Sequence, residues 1–305
     1  MIPYPEKVKI PKPSSRFMKR VNGYFHAFVL TRISGWYQKY CDYFGIRYLK
    51  VLGGPAVILP LPFNTILKIG PKVHEDEALA MDLAHKIGLP APRLISYGTG
   101  VFEDFSSIWM TRLPGEPLAL GCVWDTLSHE EKKNIARDLD ECILRMRQCR
   151  NPDSPRISSL SGSHIASYRA RNGRISPCRD EEELLDQLLT IRADWDSPQE
   201  EYDALTYKVM GIAKMSHSIV LTHGDLYRHN ILVENGRLSG IVDWECAGWM
   251  PEYWDYTTML VRGAPLDSPG EWETLIYANP GFKYTEELRA DGALVACTCN
   301  SWGTW

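Results

Sequence analysis

The sequence is as informative in what it lacks as in what it holds. No segment of the 305 residues strings together the roughly 18 uninterrupted apolar residues that a membrane-spanning helix needs. The opening MIPYPEKVKIPKPSSR has neither the apolar run nor the small-residue cleavage site of a secretory signal. Eight cysteines (41, 122, 142, 149, 178, 246, 297 and 299) include no CxxC pair and no metal-ligand spacing, only the CxC at Cys297 and Cys299. Reduced thiols and a cytoplasmic location are therefore expected. Neither charge sign dominates: 34 basic against 38 acidic side chains leave a formal charge of -4, so neither a nucleic-acid nor a membrane partner is expected. Internal repeats and low-complexity tracts are absent.

What is present is a globular composition, 44% hydrophobic and 24% charged, on a chain long enough for two domains or one two-lobed domain. A Pro- and Lys-rich arm over residues 1–13 leads into apolar residues at helical spacing: Phe17, Val21, Tyr24, Phe28, Ile33, Trp36, Tyr37 and Tyr40. These predict one or two amphipathic helices laid on the rest of the protein. Arg16, Lys19 and Arg20 raise the alternative of a membrane-surface helix, to which a docked accessory helix is preferred. Three strand-like runs follow, IRYLKVL, AVILPL and TILKIG, in the order of an antiparallel meander.

PKVHEDEALAMDLAHKIG predicts a helix with Pro71 near its first turn and Gly88 as its stop. Two further strands, around Ile95–Gly98 and Ser107–Arg112, precede LPGEPL, a turn suited to a hinge. Long helices come next, with capping-box signatures at Ser128/Glu131 and Asp180/Glu183 and a third helix over about Pro198–Met215. Strands first and helices later predict an α+β chain in two lobes. The expected divisions are an arm with accessory helices (1–48), a lobe with an antiparallel sheet and one main helix (49–113), and a helical lobe (114–305).

The chemistry concentrates in LTHGDLYRHNILVENGRLSGIVDWE, residues 221–245. His223 and Asp225 are followed after four residues by Asn230, then by a strand, a hairpin turn at Asn235-Gly236, a second strand and Asp243. Two carboxylates and an amide oxygen are hard ligands of the kind magnesium takes beside waters and phosphates. The order HxDxxxxN with a later Asp is that of a phosphoryl-transfer catalytic loop. Such a site also needs a strand Lys and a helix carboxylate to orient it. Lys68 in TILKIG and Glu77 in HEDEALAM stand in the required order, with Glu75 and Asp76 as competitors for the second role.

On these stretches, together with GLPAPRL, WMTRLPGEPL and LSGSHIASYR, the sequence resembles the aminoglycoside phosphotransferase and choline kinase family, most closely its fungal members. The resemblance covers about residues 50–290. It implies a protein-kinase-like fold that binds ATP or GTP with Mg2+ and transfers the γ-phosphoryl to a small-molecule hydroxyl. Carried over by position, it makes Asp225 the catalytic residue, His223 its support, Asn230 and Asp243 the metal ligands, Lys68 the phosphate clamp and Glu77 its partner. It places the nucleotide base against Met110, Thr111 and Leu113. The sequence departs from the pattern in having no GxGxxG loop before Lys68.

The segment after Asp243 is dense in aromatic and acidic residues. Trp244, Glu245, Glu252 and Trp254 could build a pocket for a cationic acceptor, such as an amino alcohol or aminoglycoside, or they could be lobe core and helix caps. Phosphorylation of a specialised metabolite and a pseudokinase-like nucleotide-binding scaffold remain as further alternatives. No APE-type segment follows Asp243, which argues against a protein substrate. Oligomeric state is not legible.

Overall fold

A computed structural model describes residues 9–46, 56–100, 105–119, 123–170, 172–189, 199–260 and 269–298. Contacts divide the described residues into two units, one of residues up to Pro114 with Gly240–Glu245, the other of Gly115–Ser239 with residues from Cys246 onward. The described residues of the 1–48 segment thus fall in the same unit as those of 49–113, and Gly240–Glu245 joins them from far along the chain.

In the first unit, β1 (Val57–Leu61), β2 (Thr65–Gly70), β3 (Leu94–Thr99) and β4 (Ser106–Thr111) form an antiparallel sheet in the order β1-β2-β4-β3. The β1–β2 turn runs through Phe63 and Asn64, both at positive φ. Of the expected first strand, IRYLKVL, all but Ile46 lies outside the described residues. Side chains alternate across β2, so Leu67 and Ile69 share one face while Ile66 and Lys68 share the other. Leu67 packs in a cluster with Leu30, Leu61, Leu59 and Trp109.

The helix α3 (Glu75–Lys86) buries Ala78, Leu79, Ala80, Met81, Leu83 and Ala84. It starts at Glu75 rather than near Pro71, with His74 as an N-cap that makes no side-chain capping bond. Three acidic residues in its first turn complement the positive end of the helix dipole. Its chain leaves through Gly88 at positive φ, as the sequence predicts.

The helices α1 (Arg16–Phe25) and α2 (Thr31–Phe44) are joined by a π-helical turn, His26–Leu30. α1 packs on β3 and α2 on β1. Here the expectation that the aromatic face is laid on the protein is overturned. Phe17 is 74% and Trp36 82% exposed, and Val21, Tyr24, Phe28, Ile33 and Tyr40 are exposed as well. The inward face carries Gly23, His26, Leu30, Ser34 and Cys41. Backbone proximity explains the choice of face. A Cβ on Gly23 would lie 2.4 Å from the Thr99 carbonyl oxygen, and one on Gly98 would lie 2.5 Å from the Gly23 nitrogen. The approach is sealed by polar bonds: Asn22 Nδ2 donates to the Tyr97 carbonyl at 3.0 Å, and Lys19 pairs with Glu75.

The second unit opens with β5 (Glu116–Pro117) and the short α4 (Val123–Thr126), then α5 (His129–Gln148). Ser128 and Glu131 form the predicted capping box at the start of α5. A small pair, β6 (Ile165–Ala166) and β7 (Arg174–Ile175), precedes α6 (Glu181–Leu189) and α7 (Gln199–Gly211). At α6 only half of the predicted box forms. The Asp180 carboxylate accepts from the Glu183 backbone N–H at 3.0 Å, while the Glu183 carboxylate accepts from Arg179 instead.

Then come β8 (Ile219–Thr222), β9 (Ile231–Glu234), β10 (Arg237–Ile241) and β11 (Gly248–Pro251), with β10-β9-β5 and β11-β8 as small sheets. The β9–β10 turn has Asn235 and Gly236 both at positive φ, the geometry that an Asn-Gly hairpin requires. The chain closes with α8 (Trp254–Leu260), α9 (Glu271–Tyr277) and α10 (Thr285–Thr298). Buried Arg169 holds this region together, 2.7 Å from Asp291 and 4.0 Å above the Trp254 ring. None of the described helices is long and apolar enough to cross a membrane.

Candidate active site

The predicted polar residues gather in two groups, one in each unit. In the first unit, strand alternation carries Lys68 to the sheet face opposite Leu67, and the first turn of α3 carries Glu77 to meet it. Lys68 Nζ lies 2.8 Å from Glu77 Oε1, 2.6 Å from Asp243 Oδ1 and 3.7 Å from Glu245 Oε2. The choice among acidic residues is thereby made: Glu77 is the partner of Lys68, whereas Glu75 accepts from the Ser14 backbone N–H and pairs with Lys19.

Lys68 and Glu77 are buried, Glu245 is nearly so, and Asp243 keeps 41% of its side chain exposed. Asp243 also sits at φ 65, a conformation that a non-glycine residue rarely holds without surrounding constraint. Burial works against the Lys68 charge, but the carboxylates of Glu77, Asp243 and Glu245 outweigh it and hold the ammonium well above its usual range. Burial drives the Glu77 carboxyl upward, Lys68 pulls it back, and the negative charges of Asp243 and Glu245 add to the rise. One Glu77 oxygen, Oε2, is buried with no hydrogen-bond partner. Carboxylate oxygens of Glu77, Asp243 and Glu245 lie within 4.8 Å of one another.

In the second unit, the loop after β8 carries the rest. Gly224 turns it at φ 82, where an added Cβ would lie 2.1 Å from the Cys246 carbonyl oxygen, so only glycine fits. Asn230 Nδ2 donates to both the Asp225 carbonyl and the Asp225 Oδ2, each at 2.9 Å. His223 Nδ1 accepts from the Asp225 backbone N–H at 3.3 Å. All three residues are buried.

Asp255, which the sequence offers only as one of the acids of the segment after Asp243, meets this loop. Its carboxylate accepts from the backbone N–H of His223 at 3.0 Å and of Gly224 at 2.9 Å, fixing the loop from below. Burial raises its proton affinity, while His223 and those two N–H groups pull it back. A carboxylate in WDY at the start of a helix is the local signal, but it reads equally as a helix-terminal acid.

The expected nucleotide-base segment lies on and just past β4. Met110 is buried between strands, opposite Ile66 and Leu94. The backbone N–H of Thr111 donates to the Arg93 carbonyl at 3.1 Å and that of Arg112 to the Asn64 carbonyl at 2.8 Å. Among the described residues, Leu113 is the position of this segment whose N–H has no such partner.

The four candidate acceptor residues are dispersed. Trp244 is 1% and Trp254 2% exposed, which leaves no ring face for a ligand; Trp244 Nε1 donates to the Ile241 carbonyl, and Trp254 lies under Arg169. Glu252 accepts from the Ser218 backbone N–H at 3.2 Å. Glu245 stands beside Lys68. Core packing, weighed above as the alternative for the tryptophans, accounts for both, because large aromatic rings gain most when fully desolvated.

Comparison with known proteins gives the chain a family. Residues 65–287, well over half of the chain, match the phosphotransferase enzyme family (APH), and the chain belongs to that family. An aminoglycoside 3'-phosphotransferase of Niallia circulans is 28% identical over 108 residues, 34% of this chain, and the match spans only 40% of that relative.

Among solved structures, a thermostable mutant of aminoglycoside phosphotransferase APH(4)-Ia in ternary complex with AMP-PNP and hygromycin B aligns with a TM-score of 0.57 at 13% identity, over 85% of this chain and 88% of that one. A mutant aminoglycoside 2'-phosphotransferase-IIIa in its GDP complex aligns with a TM-score of 0.55 at 16% identity, over 86% and 87% of the two chains. The fold is therefore the kinase-like α+β fold of these phosphotransferases, as expected from the sequence.

Proposed function

We propose that this chain is an ATP- or GTP-dependent phosphotransferase that moves the γ-phosphoryl group to a hydroxyl of a small molecule. The observation that carries the proposal is the buried Lys68, held by Glu77 of α3 and by Asp243. A lysine constrained in this way serves as a phosphate clamp, and its retention in a desolvated site has no need in simple packing. Asp225, fixed by Asn230, aligns the acceptor hydroxyl and takes its proton; His223 and Asp255 hold the loop. The Leu113 N–H, with Met110 and Thr111 beside it, is the base-binding position.

The donor set fits magnesium. Three carboxylates against one lysine leave negative charge in excess, and Asp243 is the most exposed of them. Asp243 and Asn230 are assigned as the ligands; with its NH2 committed to Asp225, Asn230 offers its amide oxygen. When bound, the ion supplies charge neutralisation on the transferred group. Aminoglycosides, named for the relatives, put polyhydroxylated amines first among acceptors, followed by amino alcohols and specialised metabolites. Burial of Trp244 and Trp254 takes away the aromatic cage that would favour a quaternary ammonium.

The test is nucleotide consumption with and without Mg2+, against a panel of aminoglycosides, amino alcohols, neutral polyols and a metabolite extract. Asp225→Ala should lower kcat by about 100-fold or more. Wild-type turnover no greater than that of Asp225→Ala would overturn the proposal and favour a nucleotide-binding scaffold.

A further inference from the structure

The chain's overall charge hides a local one. Residues 7–41 hold Lys7, Lys9, Lys12, Arg16, Lys19, Arg20, Arg32 and Lys39 and not one Asp or Glu. Those eight taken from 34 leave 26 basic against 38 acidic side chains elsewhere, so the protein is basic over one short stretch and acidic over the rest.

That stretch is built inside out. α1, the π-helical turn and α2 run without a break over residues 16–44, roughly 40 Å of helix. The inward side is tied down by small and polar groups. His26 is wholly buried, with Nδ1 2.7 Å from Ser107 Oγ and Nε2 2.8 Å from Ser96 Oγ. Asn22 and Lys19 make the bonds already described, and Gly23 meets the backbone of β3. With these contacts made, the helices cannot rotate to bury their aromatic side.

Phe17, Val21 and Tyr24 line the outer side of α1 at spacings of three and four, Phe28 follows in the π-helical turn, and Trp36, Tyr40 and Tyr43 continue on α2. Arg16, Arg20, Arg32 and Lys39 are exposed among them and make no ion pair with the described residues. A groove of about 550 Å³, lined by Arg32, Ile33, Trp36, Tyr37, Tyr40 and Pro62, opens on the same surface.

We infer that α1 and α2 form a docking surface for an anionic lipid bilayer, lying in the plane of the interface with the aromatic side inward to the lipid. Charge complementarity selects this occupant. A second copy of the chain would set one predominantly basic helical surface, whose one acidic residue is Asp42, against another. Anionic headgroups supply the counter-charge, and the acyl region just beneath receives the phenylalanines. Tyr24, Trp36, Tyr40 and Tyr43 have the amphipathic rings that settle at that boundary. The balance of the whole chain predicts no membrane partner; the sorting of charge along it points the other way.

The experiment is flotation of the full chain with vesicles of phosphatidylcholine alone or with about a third phosphatidylserine, at low and high salt. Binding should be at least about tenfold stronger to the anionic vesicles and should weaken with salt. Each Lys or Arg neutralised should cost roughly fivefold. A chain carrying Arg16→Gln, Arg20→Gln, Arg32→Gln and Lys39→Gln should therefore lose more than about 100-fold, and Trp36→Ser with Tyr40→Ser about tenfold or more. Circular dichroism and melting temperature establish that both variants stay folded. Equal binding to the two vesicle types, no binding to either, or indifference to both variants would overturn the inference. So would wild-type dimers that Trp36→Ser dissociates, which would assign the surface to self-association, or binding to polyglutamate as tight as to anionic vesicles.

Discussion

Helices cover both faces of the four-stranded sheet, and they do so by opposite rules. α3 packs as an amphipathic helix ordinarily does: its apolar residues go in, and the one charge it buries, Glu77, meets Lys68. On the other face, α1, the π-helical turn and α2 turn Gly23, His26 and Ser34 toward the sheet together with only two apolar residues, Leu30 and Cys41, and leave Phe17 and Trp36 outside. The first covering is held by area removed from water; the second adds to the small cluster around Leu30 a close backbone approach and specific hydrogen bonds. Periodicity alone describes both as amphipathic helices. The direction in which the apolar stripe points is set by what the sheet offers.

Substitutions can separate the two rules. The largest effect should come from the α3 side, where Leu83 is 1% exposed: Leu83→Ala should destabilise by about 2–5 kcal/mol in urea unfolding. On the opposite face the strongest lever is His26, whose burial lowers its proton affinity to about 4. The folded state excludes the proton while the unfolded chain accepts it near 6.5. This contribution is therefore fully present above about pH 6.5 and is lost as pH falls toward 4, about 3 kcal/mol in all. His26→Asn should remove that part of the pH dependence, visible in unfolding midpoints taken across the range.

Gly23→Ala should cost about 1–3 kcal/mol, because the obstacle is the Thr99 backbone and not a side chain that can swing away. The smallest effect belongs to a residue that periodicity places on the apolar stripe. Trp36→Ser should change stability by no more than about 0.5 kcal/mol, since the ring is 82% exposed. A loss comparable to that of Leu83→Ala would mean that α1 and α2 obey the same rule as α3.

The candidate site shows a similar split between local and distant information. His223, Asp225 and Asn230 were legible because the turn chemistry that positions them lies within eight residues of sequence. Glu77 could be ranked above Glu75 and Asp76 from the apolar run behind it, but only the fold shows Glu75 engaged with Ser14 and Lys19. Asp255 was passed over because its partners, the N–H groups of His223 and Gly224, lie more than 30 residues away and carry no mark in the sequence. Trp244 and Trp254 were offered to an acceptor because aromatic density does not say whether a ring faces a pocket or the core.

By itself, then, the sequence determined what depends on neighbours along the chain. Strand alternation put Lys68 on a face, Ser128 and Glu131 started a helix, Asn235 and Gly236 turned a hairpin, and the run from His223 to Asn230 put three polar groups on one loop. The tertiary structure alone decided which face is inside and which charges meet. Lys68 joins Asp243 across 175 residues, and α1 turns its aromatic side outward because Gly23 admits the backbone of β3. Such outcomes depend on the shape and hydrogen-bonding capacity of a distant surface, and no spacing within a helix encodes them.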